Sequence, residues 1–280
     1  MSFGFTARVA RPSDYWRIVA LCKLAVGPDD YVIPRLKHII ASKGLFVASS
    51  GSEFVGMSNF SRTIDGAAWF GMARTHPDWR RKGVAIFLQH AKAEHARKLG
   101  IRRLRLFVLS TNKPSLRACL KGGFRPVSEA AHLSLNLSED RFEGNHKFEI
   151  SREPLLNLLK SRYVKKMKGY VGYDSTFVKI DEQVLEKISR KGEIYSLEDA
   201  KFILNPRDEF EPDNHREFSL LEGSVEKGLD SVARTARGIG TDSVGTFIPY
   251  EHYLIKMART LGFRDDPWGW HCICFEKSIP

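Results

Sequence analysis

Thr75-His76-Pro77-Asp78-Trp79-Arg80-Arg81-Lys82-Gly83-Val84-Ala85 joins two segments of different period. Upstream, Ala67-Ala68-Trp69-Phe70-Gly71-Met72-Ala73 is an apolar run of strand length. Downstream, Val84, Phe87, Leu88, Ala91, His95 and Leu99 recur at helical spacing, and Gly100 closes the pattern. The order is strand, basic glycine-bearing loop, helix. A helix entrance presents N–H groups that lack intrahelical partners, and the macrodipole adds positive potential there. Gly83 has no Cβ to keep a bulky anion away from the backbone. A phosphate or diphosphate fits that chemistry. A phosphate-binding NTPase does not, because no Lys-Ser or Lys-Thr follows Gly83.

The spacing Arg80-x-x-Gly83-x-Ala85, set behind His-Pro-Asp-Trp and ahead of an amphipathic helix, resembles the acetyl-CoA signature of the GCN5-related N-acetyltransferases (GNAT). That signature is Arg or Gln, two residues, Gly, one residue, then Gly or Ala. The resemblance continues past the helix. Ile101 to Leu109 reads as the next strand, and Asn112, Ser115, Leu116, Gly123 and Phe124 fall where the family has its Asn-x-x-Ala-Ile…Gly-Phe segment. It covers residues from about 5 to 137 and implies an α/β fold with a mixed sheet, acetyl-CoA as cosubstrate and no metal. Two central strands, at Trp69 to Arg74 and Leu104 to Leu109, would splay to admit the pantetheine arm. A backbone N–H near Met72 or Ala73 would face the thioester carbonyl, with Arg74 continuing that edge. Arg80, Arg81, Lys82, Gly83, Val84 and Ala85 would hold the diphosphate, and Asn112 and Ser115 the pantetheine. Without the resemblance, Thr111-Asn112-Lys113-Pro114 also reads as a turn.

The implied reaction is acetyl transfer to an amine by direct attack in a ternary complex. It needs a neutral amine and a proton for the departing thiolate. The family's leaving-group acid is commonly a tyrosine seven residues after the Asn. That count lands on Cys119, a departure from the pattern. A cysteine of ordinary pKa, about 8.5, is a competent donor; a small side chain on a buried helical face is the other reading. The base has three candidates: Glu53 and Asp65, bracketing the strands that usually bear it, and His76, beyond the end of the third strand. Each has a structural alternative, since Glu53 and Asp65 stand beside turn glycines and His76 precedes Pro77. Asp29 and Asp30 either attract a cationic acceptor or cap a helix.

The net charge of +11 is uneven. Between Arg74 and Arg125, fourteen Lys or Arg face only Asp78 and Glu94, which focuses positive potential there. Coenzyme A and a nucleic acid both answer to that field, and charge alone does not separate them. No aromatic-basic interleaving of the RNA-stacking kind accompanies it, so nucleic acid is the less favoured partner. Alternation places Arg103 and Arg105 on one strand face, solvated or at the coenzyme's rim. The four cysteines include Cys272-x-Cys274, too closely spaced for a zinc knuckle. No run reaches the roughly 20 apolar residues of a membrane span, and the start lacks a signal-peptide pattern, so the expected location is the cytoplasm.

Ser138 to Asn145 reads as a polar linker dividing a coenzyme-binding domain, 1–140, from a second domain, 146–280. The second half echoes the first, with Leu261-Gly262-Phe263-Arg264 parallel to Gly122-Gly123-Phe124-Arg125. An internal repeat suggests a second, degenerate GNAT-like domain. Where the first half has its cationic loop, the second has Leu221-Glu222-Gly223-Ser224-Val225, and Glu222 would repel a diphosphate. The amine acceptor and the oligomeric state have no code in the sequence.

Overall fold

The computed structural model describes residues 4–137, 149–150, 156–207, 214–266 and 269–280. The linker expected at Ser138 to Asn145 lies outside the described residues. The chain divides into two units. One comprises residues 1–106, 112–125 and 275–280, and the other 107–111 and 126–274. The closing strand of the first half is thus grouped with the second unit, and the last six residues with the first.

The first unit carries β1 (Thr6–Val9), α1 (Tyr15–Ala25), α2 (Val32–Ala41), β2 (Leu45–Ser50), β3 (Glu53–Arg62), β4 (Ala68–Thr75), α3 (Val84–Lys98), the start of β5 (Arg103–Leu109) and α4 (Lys113–Lys121). Its strands run β1-β2-β3-β4-β5, antiparallel except for the β4–β5 pair. Local chemistry sets the connections. Asp65-Gly66 turns β3 into β4, with Gly66 at φ +78° and the Thr63 amide donating to Ala67 O. Strand alternation sends Leu45, Val47 and Met57 into one core with Ile18, Leu21, Leu36 and Ile40 of α1 and α2. It sends Phe46, Phe60 and Phe70 to the opposite face, where Phe46 and Phe60 meet His95 of α3 and Phe70 meets Phe124.

The second unit repeats this order. It contains β6 (Arg125–Asn136, from Pro126), β7 (Glu149–Ile150), α5 (Arg162–Lys166), the hairpin β8 (Tyr170–Tyr173) and β9 (Thr176–Lys179), and α6 (Glu182–Arg190). There follow β10 (Ile194–Leu197), β11 (Ala200–Leu204), β12 (His215–Glu222), α7 (Val225–Gly238), β13 (Ser243–Pro249), α8 (His252–Thr260), β14 (Arg264–Asp265) and the start of β15 (His271–Ser278). Its strand order is β6-β13-β12-β11-β10-β7, and β12–β13 is the parallel pair. That ladder runs from His215 opposite Ser243 to Phe218 opposite Thr246 and stops there. The added hairpin lies against both strands past that point: Ser219 Oγ donates to Gly172 O at 2.7 Å, and Gly172 sits on the Phe247 ring.

One expectation needs correcting. Arg105 is neither solvated nor at a coenzyme rim. It is fully buried, with Nη1 2.9 Å from Asp65 Oδ2 and Nη2 2.7 Å from Glu276 Oε2 near the chain's end. Lone charges do not survive burial, but a cation between two carboxylates does. Asp65→Ala leaves Arg105 half-paired and should cost roughly 3 kcal/mol in urea unfolding. A change below about 0.5 kcal/mol would show that Glu276 alone suffices.

Candidate active site

Helix α3 begins at an entrance without a side-chain cap. Gly83 is its N-cap residue, at φ +88° and ψ 2°, and offers no side chain to the first turn. Two residues earlier Arg81 is also left-handed, at φ +66°, a conformation that costs a side-chain-bearing residue roughly 1 kcal/mol. Alternating hand along a short segment turns successive N–H groups into one concavity, the geometry of an anion nest. Of the six amides from Arg80 to Ala85, two are engaged within the loop. Arg80 N–H reaches Pro77 O at 3.2 Å and Lys82 N–H reaches Trp79 O at 3.4 Å. The helix's first return bond is Phe87 N–H to Gly83 O, at 2.9 Å. Among the described residues the amides of Arg81, Gly83, Val84, Ala85 and Ile86 have no backbone acceptor. Arg80, Arg81 and Lys82 are exposed; Arg80 Nη2 also reaches Ala25 O at 2.8 Å, and Lys82 Nζ lies 4.8 Å from the Trp79 ring. A diphosphate fits this donor set.

Beside the loop, β4 is bulged. Opposite Met57 and Asn59 of β3 stand Arg74 and Gly71, so β4 carries one residue more, and Met72 takes φ +53°. The parallel ladder to β5 has two rungs, Ala68 with Leu104 and Trp69 with Arg105, and ends there. From Phe70 onward, through Met72, Ala73 and Arg74, β4 has no ladder to β5. The Arg74 side chain is committed elsewhere, 2.5 and 2.7 Å from the two oxygens of fully buried Asp30. Burial pulls the Asp30 carboxyl upward, but the hydrogen bond and charge of Arg74, with the Val32 amide, outweigh it and hold it below its ordinary value. Asp30 is therefore not open to a cationic acceptor.

Two of the base candidates meet and the third stands apart. Glu53 Oε2 accepts from Trp79 Nε1 at 3.1 Å, and Glu53 Oε1 lies 3.7 Å from His76 Nε2. His76 Nδ1 accepts from the Asp78 amide at 3.3 Å, which assigns the proton to Nε2, facing Glu53. Asp65 sits in the β3–β4 turn, at the other end of β4 from His76, about 25 Å along an eight-residue strand. Besides Arg105 it takes Thr63 Oγ1 at 2.5 Å. Asn112 caps α4, its Oδ1 accepting from the Ser115 amide at 3.1 Å. The two residues are joined, and the Asn112 NH2 stays available as a donor. Cys119 is buried on α4, with Gln89 Nε2 at 3.8 Å, and burial pushes its thiol up to about 12.

The sequence also hid residues that shape the site. The buried stripe of α3 is Val84, Leu88, Lys92 and Ala96, together with Ala93, whereas Leu99 is exposed. Lys92, read as part of a surface field, is inside. The available signal was its spacing, four residues after Leu88 and four before Ala96. Gly56 of β3 was likewise unmarked. A Cβ there would stand 2.6 Å from Val84 Cγ1 and 3.1 Å from Arg74 O.

A strand edge beside an uncapped, cationic helix entrance is an arrangement that an extended, diphosphate-bearing carrier would fit. Residues 14–124 match the model of the acetyltransferase (GNAT) family. The chain as a whole has the GNAT fold in tandem. A putative acetyltransferase from Pyrococcus horikoshii aligns over 100% of this chain and 91% of its own, at 16% identity and TM-score 0.59. A GCN5-related N-acetyltransferase from Sphaerobacter thermophilus aligns over 99% and 96%, at 12% identity and TM-score 0.60. A tandem GNAT protein from the clavulanic acid biosynthesis pathway aligns over 99% and 98%, at 15% identity and TM-score 0.51. No curated protein matches the chain in sequence. Acetyl-CoA is the cosubstrate of the family. No group of three or more His, Cys, Asp or Glu among the described residues is arranged to hold a metal, and no helix among them is long and apolar enough to cross a membrane.

The Asp30–Arg74 pair sets a pH dependence. Asp30 titrates lower folded than unfolded, so its contribution is complete above the unfolded value of about 4 and fades as pH falls through the folded one. Unfolding of Asp30→Asn against wild type should show a stability gap at neutral pH that narrows in acid; a gap independent of pH would remove the pair from the acid response.

Proposed function

We propose that the chain is an acetyl-CoA-dependent N-acetyltransferase that acetylates a primary amine by direct attack in a ternary complex. The observation that carries this is the set of amides at Arg81, Gly83, Val84, Ala85 and Ile86, without backbone acceptors and behind three cations, at the foot of a strand edge freed after Trp69. In this reading Arg80 to Ala85 hold the diphosphate through main-chain N–H groups and charge. The backbone at Met72 to Arg74 pairs with the pantetheine amides and offers an N–H to the thioester carbonyl, where a fixed donor lowers the barrier by roughly 3 kcal/mol. Asn112 donates from its free NH2, with Ser115 beside it.

The Glu53–His76 pair is the proton acceptor for the attacking amine. Glu53 is half-exposed and lies 3.7 Å from His76 Nε2, so the carboxylate takes the proton with the imidazole standing beside it. Asp65 serves Arg105. Cys119, pushed up by burial, keeps its proton, and water protonates the departing thiolate. The nucleic-acid alternative loses ground, because Lys92 and Arg105 of the basic window are buried. The repeat halves, 1–140 and 146–280, divide the work. The first binds the carrier, and the second does not bind coenzyme. The cytoplasm is the compartment this reaction fits.

Calorimetric titration with acetyl-CoA, followed by thiol release over a panel of amines, tests the assignment. Wild type should bind and release thiol with at least one amine class. Gly83→Glu, which places a carboxylate in the nest, should lose binding by more than about 100-fold while folding normally; tight residual binding would overturn the loop assignment. Cys119→Ala should leave the alkaline limb of the rate profile unchanged to about pH 10, and a shifted limb would return the thiol to the mechanism.

A further inference from the structure

Lys92 is the least expected side chain in the first unit. It lies at 1% exposure on the inner stripe of α3. Its Nζ donates to Ser58 Oγ at 2.5 Å and to Asn59 O at 3.1 Å, and stands 4.0 Å from the centre of the Phe70 ring. Burial pushes it well below the ordinary lysine range, with the adjacent Cys119 opposing that shift. An apolar residue at this point of the stripe would be cheaper to bury. What Lys92 supplies is a donor, and the donor's target is informative.

Ser58 is itself buried, and spends its own proton on Gly71 O at 2.9 Å. Gly71 O and Met72 N–H belong to one planar trans peptide, so they leave it in opposite directions. Pinning the carbonyl toward Ser58 of β3 aims the Met72 N–H away from β3, to the edge that β4 presents once its ladder to β5 has ended. Met72 at φ +53° is the residue that makes this turn in the strand. A carbonyl that accepts a hydrogen bond also polarises its own peptide and strengthens the N–H on the far side.

We propose that Lys92 and Ser58 are positioning residues for acyl transfer: the chain Lys92 Nζ to Ser58 Oγ to Gly71 O orients and polarises the Met72 amide that receives the thioester oxygen. The proposal rests on the acetyltransferase reading above and adds to it a relay running from the α3 stripe through β3 to the bulge of β4. No proton need cross the relay, because each donor keeps its hydrogen throughout. Its action is confined to the direction and strength of one N–H.

The test reads the thioester carbonyl itself and needs no acceptor amine. Infrared difference spectra with carbonyl-labelled and unlabelled acetyl-CoA report the C=O stretch of the bound thioester. In wild type the stretch should fall below its value in free acetyl-CoA. In Ser58→Ala and in Lys92→Met, which fills the same volume without a donor, it should move at least halfway back to the free value. The dissociation constant for acetyl-CoA should change less than about threefold, because the diphosphate loop is untouched. With an accepted amine, kcat should fall about tenfold at nearly constant KM, and the double variant should fall no further than either single one. Ser58→Thr, which restores the hydroxyl, should recover most of the shift. An unchanged carbonyl stretch in variants that fold and bind would overturn the relay while leaving the acetyltransferase intact. A wild-type protein that does not bind acetyl-CoA would overturn the acetyltransferase reading and the relay with it. If Lys92→Met fails to fold, Ser58→Ala alone decides, since removing one hydroxyl leaves the α3 stripe complete.

Discussion

The contact between Val84 and Gly56 governs the candidate site. Helix α3 can start where it does only because β3 carries no side chain at position 56, where a Cβ would press on Val84 Cγ1 and on Arg74 O. That contact seats the first turn of α3 on the sheet beside the last residues of β4. The loop from His76 to Gly83 must then leave β4 and re-enter at a fixed point, which two left-handed residues, Arg81 and Gly83, make possible. The outcome is an entrance that gives up stability. A Ser or Asp cap would add roughly 1 kcal/mol to the helix, and Arg81 costs a comparable amount in backbone strain. What remains in exchange is a cluster of amides without protein acceptors.

The same unit draws cations inward where the sequence suggests a surface field. Arg74 is closed by Asp30, Arg105 by Asp65 and Glu276, and Lys92 by Ser58 and Asn59. Each is paired or hydrogen-bonded, as burial requires. They also act at different places. Arg74–Asp30 ties the β4 backbone to the segment before α2, Arg105 ties β5 to the last residues of the chain, and Lys92 ties α3 to β3. Stiffness near the site thus comes from directional polar links as well as from apolar packing. Arg80, Arg81 and Lys82 stay exposed, next to the bare amides.

Several features were legible in the sequence because local chemistry alone dictates them. Gly83 ahead of a periodic stretch marks a helix entrance, Asp65-Gly66 marks a turn, and Ala67 to Ala73 has the apolar continuity of a central strand. The bulge at Met72 was not legible: the family resemblance pointed to a backbone N–H near Met72 or Ala73, but nothing in Gly-Met-Ala-Arg announces a left-handed residue. Lys92 was missed because composition assigns lysine to the surface, although its place four residues after Leu88 put it on the inner stripe. Arg105 was missed for a different reason: its partners are 40 and 171 positions away. Strand alternation gives a side chain its face, but only tertiary structure supplies its counter-charge. Glu53 and His76 met through the antiparallel register of β3 and β4, which sets Gly56 opposite Thr75 and bonds the His76 amide to Val55 O.

The second unit shows what the fold keeps when the long loop before the helix is absent. Its parallel pair, β12 and β13, also loses its ladder partway, and β12 also has an extra residue near Leu221. Those features belong to the sheet's twist and persist. The connection to the following helix does not. Between Thr75 and Val84 lie eight residues, but between Glu222 and Val225 only Gly223 and Ser224. Ser224 caps α7 by accepting from the Lys227 amide at 3.2 Å, so the amide that Gly83 leaves open in α3 is closed here. Gly223, at φ +102°, is pressed against Ala200 and Asp199, and its carbonyl takes Tyr163 Oη at 2.8 Å. Glu222, expected to repel a diphosphate, is paired instead with Lys201 at 2.7 Å. The anion nest is therefore lost by shortening and capping the loop, with charge a secondary matter. A two-residue turn cannot present alternating left-handed residues to a ligand, whatever side chains it carries.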